Sequence, residues 1–123
     1  MTAKILVAED QADLREMIAA TLSLSGYEVV AAEDGKQAYD HAQRANPDLI
    51  ILDLEMPGMS GSQVCKQLKA SQRFSDTPIV IISAHGDAAK IEESLQAGAR
   101  DYMRKPFGMQ QLTQRVTELL TEA

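Results

Sequence analysis

Tryptophan is absent from this chain and cysteine occurs once, at Cys65. A lone thiol closes no internal disulfide, and without a Cys/His cluster there is no ligand set for structural zinc. Cys65 therefore reads as core or boundary packing. Basic charge is also scarce: 12 Lys and Arg stand against 18 Asp and Glu, for a formal net charge of -6. Such a balance gives no basic footprint for a nucleic-acid backbone or an anionic membrane, so direct nucleic-acid binding is not expected. Long apolar runs are missing as well. The longest are about five residues, against the ~20 that span a bilayer, and no signal peptide precedes them, so a cytoplasmic location is expected. What is present suffices for one core: 123 residues, 45% of them apolar, are expected to form a single domain over residues 1–123.

Five short apolar runs alternate with five stretches of helical period, uninterrupted by Gly/Ser linkers or low-complexity tracts. The runs are Ile5–Ala8, Glu28–Ala32, Leu49–Leu52, Ile79–Ile82 and Asp101–Met103. The first, third and fourth are apolar without alternation, the mark of strands covered on both faces, while the second and fifth are mixed, as suits edges. Right-handed crossovers then leave an α/β doubly wound parallel sheet as the simplest assembly. Leu14, Ile18 and Leu22 form one helical stripe, Val64 and Leu68 another, and Leu112, Val116 and Leu119 a third. Asp34 is placed to cap a helix, Gly26 and Gly98 to end one, and Asn46-Pro47 and Thr77-Pro78 to break the chain before strands three and four. The stretch Ala88–Ala97 is the weakest helix, with only Ile91 and Leu95 as its stripe. Met17 is expected in the core and His41 in solvent.

Ligands of open α/β sheets bind outside the carboxyl ends of the strands. Glu9 and Asp10 follow the first strand, Asp53 ends the third, Ser83 ends the fourth, and Lys105-Pro106 follows the fifth. Carboxylates gathered on one rim repel one another unless a cation or proton joins them. Mg²⁺ is the natural candidate, because it takes oxygen ligands and keeps sites open for a phosphoryl oxygen. Lys105 adds a cation for phosphoryl oxygens, Ser83 a hydroxyl donor, and Asp53 an oxygen able to attack phosphorus.

These residues resemble the receiver domain of two-component response regulators, similar to the chemotaxis response regulator. The resemblance runs through Ile5–Asp10, Pro47–Pro57 with Gly61, Ser83-Ala84, Ala97–Tyr102 and Lys105-Pro106-Phe107, and so covers essentially the whole chain. It implies the flavodoxin-like strand order 2-1-3-4-5 with five helices. It also implies that Asp53 is the phosphoacceptor and that Glu9, Asp10, Asp53 and the backbone carbonyl of Glu55 hold Mg²⁺. Ser83 and Tyr102 would be the switch residues and Lys105 the charge partner, with a cis Lys105-Pro106 bond. The implied partners are a sensor histidine kinase or histidine phosphotransfer protein and a downstream output protein or domain, reached through the face of helix four, strand five and helix five. Met103 and Met109 are expected near that face.

Tyr102 has a second reading, as an edge-strand aromatic covering the last helix. Glu55 and His85 flank the path of an attacking water and are expected to tune loss of the phosphoryl group, Glu55 by its negative charge and His85 by pairing with it; the alternative reading makes both solvated loop residues. Asp101 and Arg115 match positions used for dimer contacts in receivers of winged-helix regulators, but Ile91 and Gln111 replace charged residues there, which leaves a phosphorylation-linked homodimer open. Three rivals compete. Asp53-Leu54-Glu55 resembles the paired acids of Mg²⁺-dependent aspartate-nucleophile phosphohydrolases, although those place the nucleophile after the first strand. A flavodoxin-type cofactor binder would meet repulsion from Glu9 and Asp10. A degenerate receiver serving only as an interaction module would not need the acceptor, acid pair, hydroxyl and lysine together.

Overall fold

The computed structural model describes residues 2–122. In chain order the elements are β1 (Lys4–Ala8), α1 (Ala12–Leu24), β2 (Glu28–Ala32), α2 (Gly35–Ala45), β3 (Leu49–Asp53) and α3 (Gly61–Lys69). After a 3₁₀ turn at Gln72–Phe74 come β4 (Ile79–Ser83), α4 (Ala88–Gln96), β5 (Asp101–Arg104) and α5 (Met109–Thr121). All strands are parallel, in the order β2-β1-β3-β4-β5. The mixed strands are thus the edges, as their composition predicted.

Successive side chains of a strand point to opposite faces, so each central strand feeds two cores. Ile5, Val7, Leu49, Ile51, Val80 and Ile82 pack with Ile18 and Leu22 of α1 and Leu112, Val116 and Leu119 of α5. Leu6, Ala8, Ile50, Leu52, Ile79 and Ile81 face Ala38 and Ala42 of α2 and Val64, Cys65 and Leu68 of α3. Burying each such Leu, Ile or Val contributes roughly 1.5–3 kcal/mol, which makes this double layer the main source of stability.

The helix ends are fixed by local chemistry. Asp34 accepts from the Gln37 amide at 2.8 Å, and Ser60 and Gln63 close a reciprocal capping box at the start of α3. Gly98 takes φ +110° just past α4, and Asn46 takes the left-handed conformation that ends α2. Both satisfy carbonyls that a helix end leaves unpaired.

Several sequence expectations need correction. Met17 lies on the outer face of α1 and is 53% exposed; the inward stripe of that helix is complete without it. In α4 the inward position is held by Ser94, fully buried, while Leu95 is exposed and Ile91 half-buried. His41 is half-buried with its Nδ1 enclosed. Met103, in β5, is buried in the layer beneath α1 and α5, while Met109, at the start of α5, is half-buried against that layer. Phe74, in the 3₁₀ turn, is among the largest fully buried side chains.

Candidate functional site

Strand register builds the site. Ala8 sits beside Leu52, and Asp53 beside Ile82, so Glu9 emerges next to Asp53 at the carboxyl rim. The Glu9 carbonyl is held by the Arg15 guanidinium at 2.8 Å, and its Oε2 accepts from the Gln11 amide at 3.0 Å. Glu9 is fully buried, Asp53 is 2% exposed and Asp10 is open to solvent. Each of the three carboxylates offers an oxygen within 4.8 Å of the other two.

Lys105 enters this group from the end of β5. Its amide donates to the Ser83 carbonyl at 2.7 Å, and the following bond to Pro106 is cis. Its Nζ lies 2.8 Å from Glu9 Oε1 and 3.5 Å from Asp53 Oδ2. The approach to Glu9 is that of a close ion pair between a buried carboxylate and a largely covered ammonium. Gly61 closes the floor: a Cβ there would stand 2.5 Å from the Asp53 carbonyl oxygen, so the loop after β3 turns tightly only because that side chain is missing.

Burial, then the charge of Glu9, pushes the Asp53 carboxyl up to about 8, with Lys105 pulling the other way and contacts to Glu9 and Asp10 adding to the rise. Burial alone would lower the Lys105 ammonium, yet its contacts with Glu9 and Asp53 outweigh that and raise it. One lysine thus leaves the acids under-neutralised. The fully buried Glu9, the crowded carboxylates and the raised Asp53 together fit a small, hard, oxygen-seeking cation such as Mg²⁺.

Beside the acids lies a hydrogen-bonded chain. The fully buried Ser83 points its Oγ at the Glu55 carboxylate, 3.0 Å from Oε1 and 3.2 Å from Oε2, and accepts from the His85 amide at 3.0 Å. Tyr102 donates its hydroxyl to the His85 carbonyl at 2.6 Å. Its ring packs with the layer beneath α2 and α3, so it does not cover α5. The Glu55 amide approaches Asp53 Oδ1 at 3.4 Å, and His85 Nε2 stands 3.9 Å from Glu55 Oε2. Sequence reasoning placed Glu55 near the acids but missed that its side chain engages Ser83; the offset of two residues from Asp53 was the signal, and only the register of β3 against β4 supplies the partner. It missed also the bond from Ser62 in α3 to Glu93 in α4, at 2.9 Å. Asp101 and Arg115 pair within the chain, Nε to Oδ2, at 2.6 Å.

Among the described residues, two clefts bear on the site's location. The larger, about 980 Å³, lies at the amino ends of the strands around Asp48, Lys69, Thr77 and Arg100, remote from the acids. Its lysine is already committed to the carbonyls of Phe74, Ser75 and Thr77. The smaller, about 480 Å³, opens beside the acids between Asp10, Glu55, Met56, Ser62, Lys90 and Glu93.

An open parallel sheet with an acid cluster, a hydroxyl and a lysine on its carboxyl rim defines a doubly wound α/β protein of the flavodoxin-like class. Within that class the comparisons are specific. Residues 5–117 match the family model of the response regulator receiver domain, and the chain belongs to that family. It is 41% identical over 117 residues to the probable transcriptional regulator ycf27 of Cyanophora paradoxa, covering 95% of this chain and 48% of the relative. It is 39% identical over 116 residues to the phosphate regulon transcriptional regulatory protein PhoB of Pseudomonas aeruginosa, covering 94% and 51%. The chain therefore spans about half the length of the curated relatives it matches. Among solved structures, the chemotaxis protein CheY4 of Vibrio cholerae superimposes with a TM-score of 0.92 at 33% identity, over 97% of this chain and 99% of that one. A receiver domain is a signalling module rather than a conventional enzyme. Among the described residues no helix is long and apolar enough to cross a membrane.

Proposed function

We propose that Asp53 is the phosphoacceptor of a two-component phosphorelay, taking a phosphoryl group from a phosphohistidine on a sensor histidine kinase or a histidine phosphotransfer protein. The observation that carries this reading is the meeting of Glu9, Asp10 and Asp53 within 4.8 Å, with the Lys105 ammonium spanning Glu9 and Asp53. A carboxylate oxygen of Asp53 attacks phosphorus as the phosphorus–nitrogen bond of the donor breaks, and the donor imidazole leaves with the bonding pair. Lys105 then follows the charge onto the phosphoryl oxygens. Glu9, Asp10, Asp53 and the Glu55 carbonyl would hold Mg²⁺, which when bound neutralises phosphoryl and carboxylate charge together.

The added negative charge draws the Ser83 hydroxyl toward it, and Tyr102, tied to the same strand-to-helix loop through His85, follows. This biases α4, β5 and α5 toward an output protein or domain. The domain works in the cytoplasm, with protein rather than nucleic acid as its direct partner. A phosphorylation-linked homodimer would have to share or reopen the internal Asp101–Arg115 pair. Against the phosphohydrolase reading, Asp53 ends the third strand and not the first. Incubation with acetyl phosphate and Mg²⁺, read by intact mass, tests the proposal. One phosphoryl adduct on wild type and none on Asp53→Asn is expected; an adduct that persists in the variant, or never forms on wild type, overturns it.

A further inference from the structure

We infer that the Glu55 side chain is a positioning residue that latches Ser83 in the resting state by competing with the phosphoryl group for its single proton. The inference rests on Asp53 being the phosphoacceptor. A serine hydroxyl has one hydrogen to donate. Here both Glu55 oxygens are within reach of it, at 3.0 and 3.2 Å, while the His85 amide occupies its accepting side at 3.0 Å. Engaged on both sides, Ser83 cannot at the same time donate toward Asp53.

The two ends of this bond differ in freedom. Ser83 is fully buried at the end of β4, whereas the Glu55 side chain is 43% exposed and can turn into water at little cost. A phosphoryl group brings about -1.5 to -2 of charge, which repels the carboxylate and attracts the hydroxyl. Both forces act in one direction: the proton of Ser83 changes acceptor, and Glu55 swings away toward the His85 imidazole 3.9 Å off. Because the His85 amide leans on Ser83 and the His85 carbonyl holds the Tyr102 hydroxyl, the exchange releases the loop that precedes α4. Glu55 thereby sets how far the resting state is favoured, through a side chain distinct from the carbonyl that would face the metal.

The test titrates beryllofluoride in Mg²⁺ into wild type, Glu55→Ala, Glu55→Gln, Ser83→Ala and the Glu55→Ala/Ser83→Ala double variant, and follows the His85 amide resonance. Glu55→Ala is expected to bind about tenfold more tightly, the worth of one charge-assisted hydrogen bond, with Glu55→Gln in between. In the Ser83→Ala background that gain should vanish, the signature of two residues acting on each other. Before any beryllium is added, the His85 amide should shift in Glu55→Ala and return part way in Glu55→Gln. An equal gain without Ser83 would show simple charge repulsion and overturn the latch, as would an unmoved His85 resonance. If wild type binds no beryllofluoride, the phosphoacceptor reading itself falls, and the latch with it.

Discussion

At Asp53 burial and neighbouring charge act against ionisation, in the place where the proposed function requires a nucleophilic carboxylate. Its carboxyl is pushed up to about 8 in the folded chain from 3.8 for an unconstrained one. A group whose proton is held more tightly folded than unfolded favours the fold while protonated, so unfolding releases protons between these limits and stability falls as pH rises through them. Urea midpoints of the metal-free chain should decline across that window. The decline should flatten in Asp53→Asn and be offset by Mg²⁺, and equal slopes in variant and wild type would refute the assignment. Burial acts in the same direction at Cys65. Fully buried on the inner face of α3, its thiol is pushed up to about 11 by burial, with Lys69 opposing only in part. Thiolate is the reactive form, so iodoacetamide should leave the native protein unlabelled and modify it completely in denaturant.

Among the elements, α4 is held most lightly. Its cap residue Asp87 makes no side-chain capping bond, and among the described residues the one fully buried side chain in it is Ser94, whose hydroxyl has no partner there. What ties it down is polar: Glu93 to Ser62 across to α3, and Cys65 to the Ala97 carbonyl just beyond its end. By contrast α5 buries Leu112, Val116 and Leu119. Few buried apolar contacts mean a low opening free energy, so amides of α4 should exchange with deuterium at least about tenfold faster than those of α5, and Glu93→Ala should widen the gap. Equal protection would contradict this ranking. The weakness of this helix was legible in its thin stripe of Ile91 and Leu95, yet its orientation was not. The stripe implied that Leu95 faces in, whereas the helix turns Ser94 inward; a helix bearing so few apolar residues gives periodicity little to fix a rotation with.

Across the whole molecule, the doubly wound sheet was readable because its central strands are continuous apolar runs and its breaks carry Gly, Pro, Asn or Asp at the ends of elements. The acid cluster was readable for the same reason, since strand ends determine which residues share a rim. Side-chain traffic across strands was not. That Glu55 reaches Ser83 depends on the register of β3 beside β4, and that Phe74 fills the core depends on a 3₁₀ turn of three residues with no period to detect. The sharpest test of the proposed function asks which of the three clustered acids, Glu9, Asp10 or Asp53, takes the phosphoryl group. After reaction with acetyl phosphate in Mg²⁺, borohydride reduction converts an acyl phosphate on aspartate to homoserine, and peptide mass spectrometry locates it. Homoserine at position 53 alone is the expected result; its appearance at position 10, or unmodified aspartate at 53 in protein that carries phosphate, would contradict Asp53 as the acceptor.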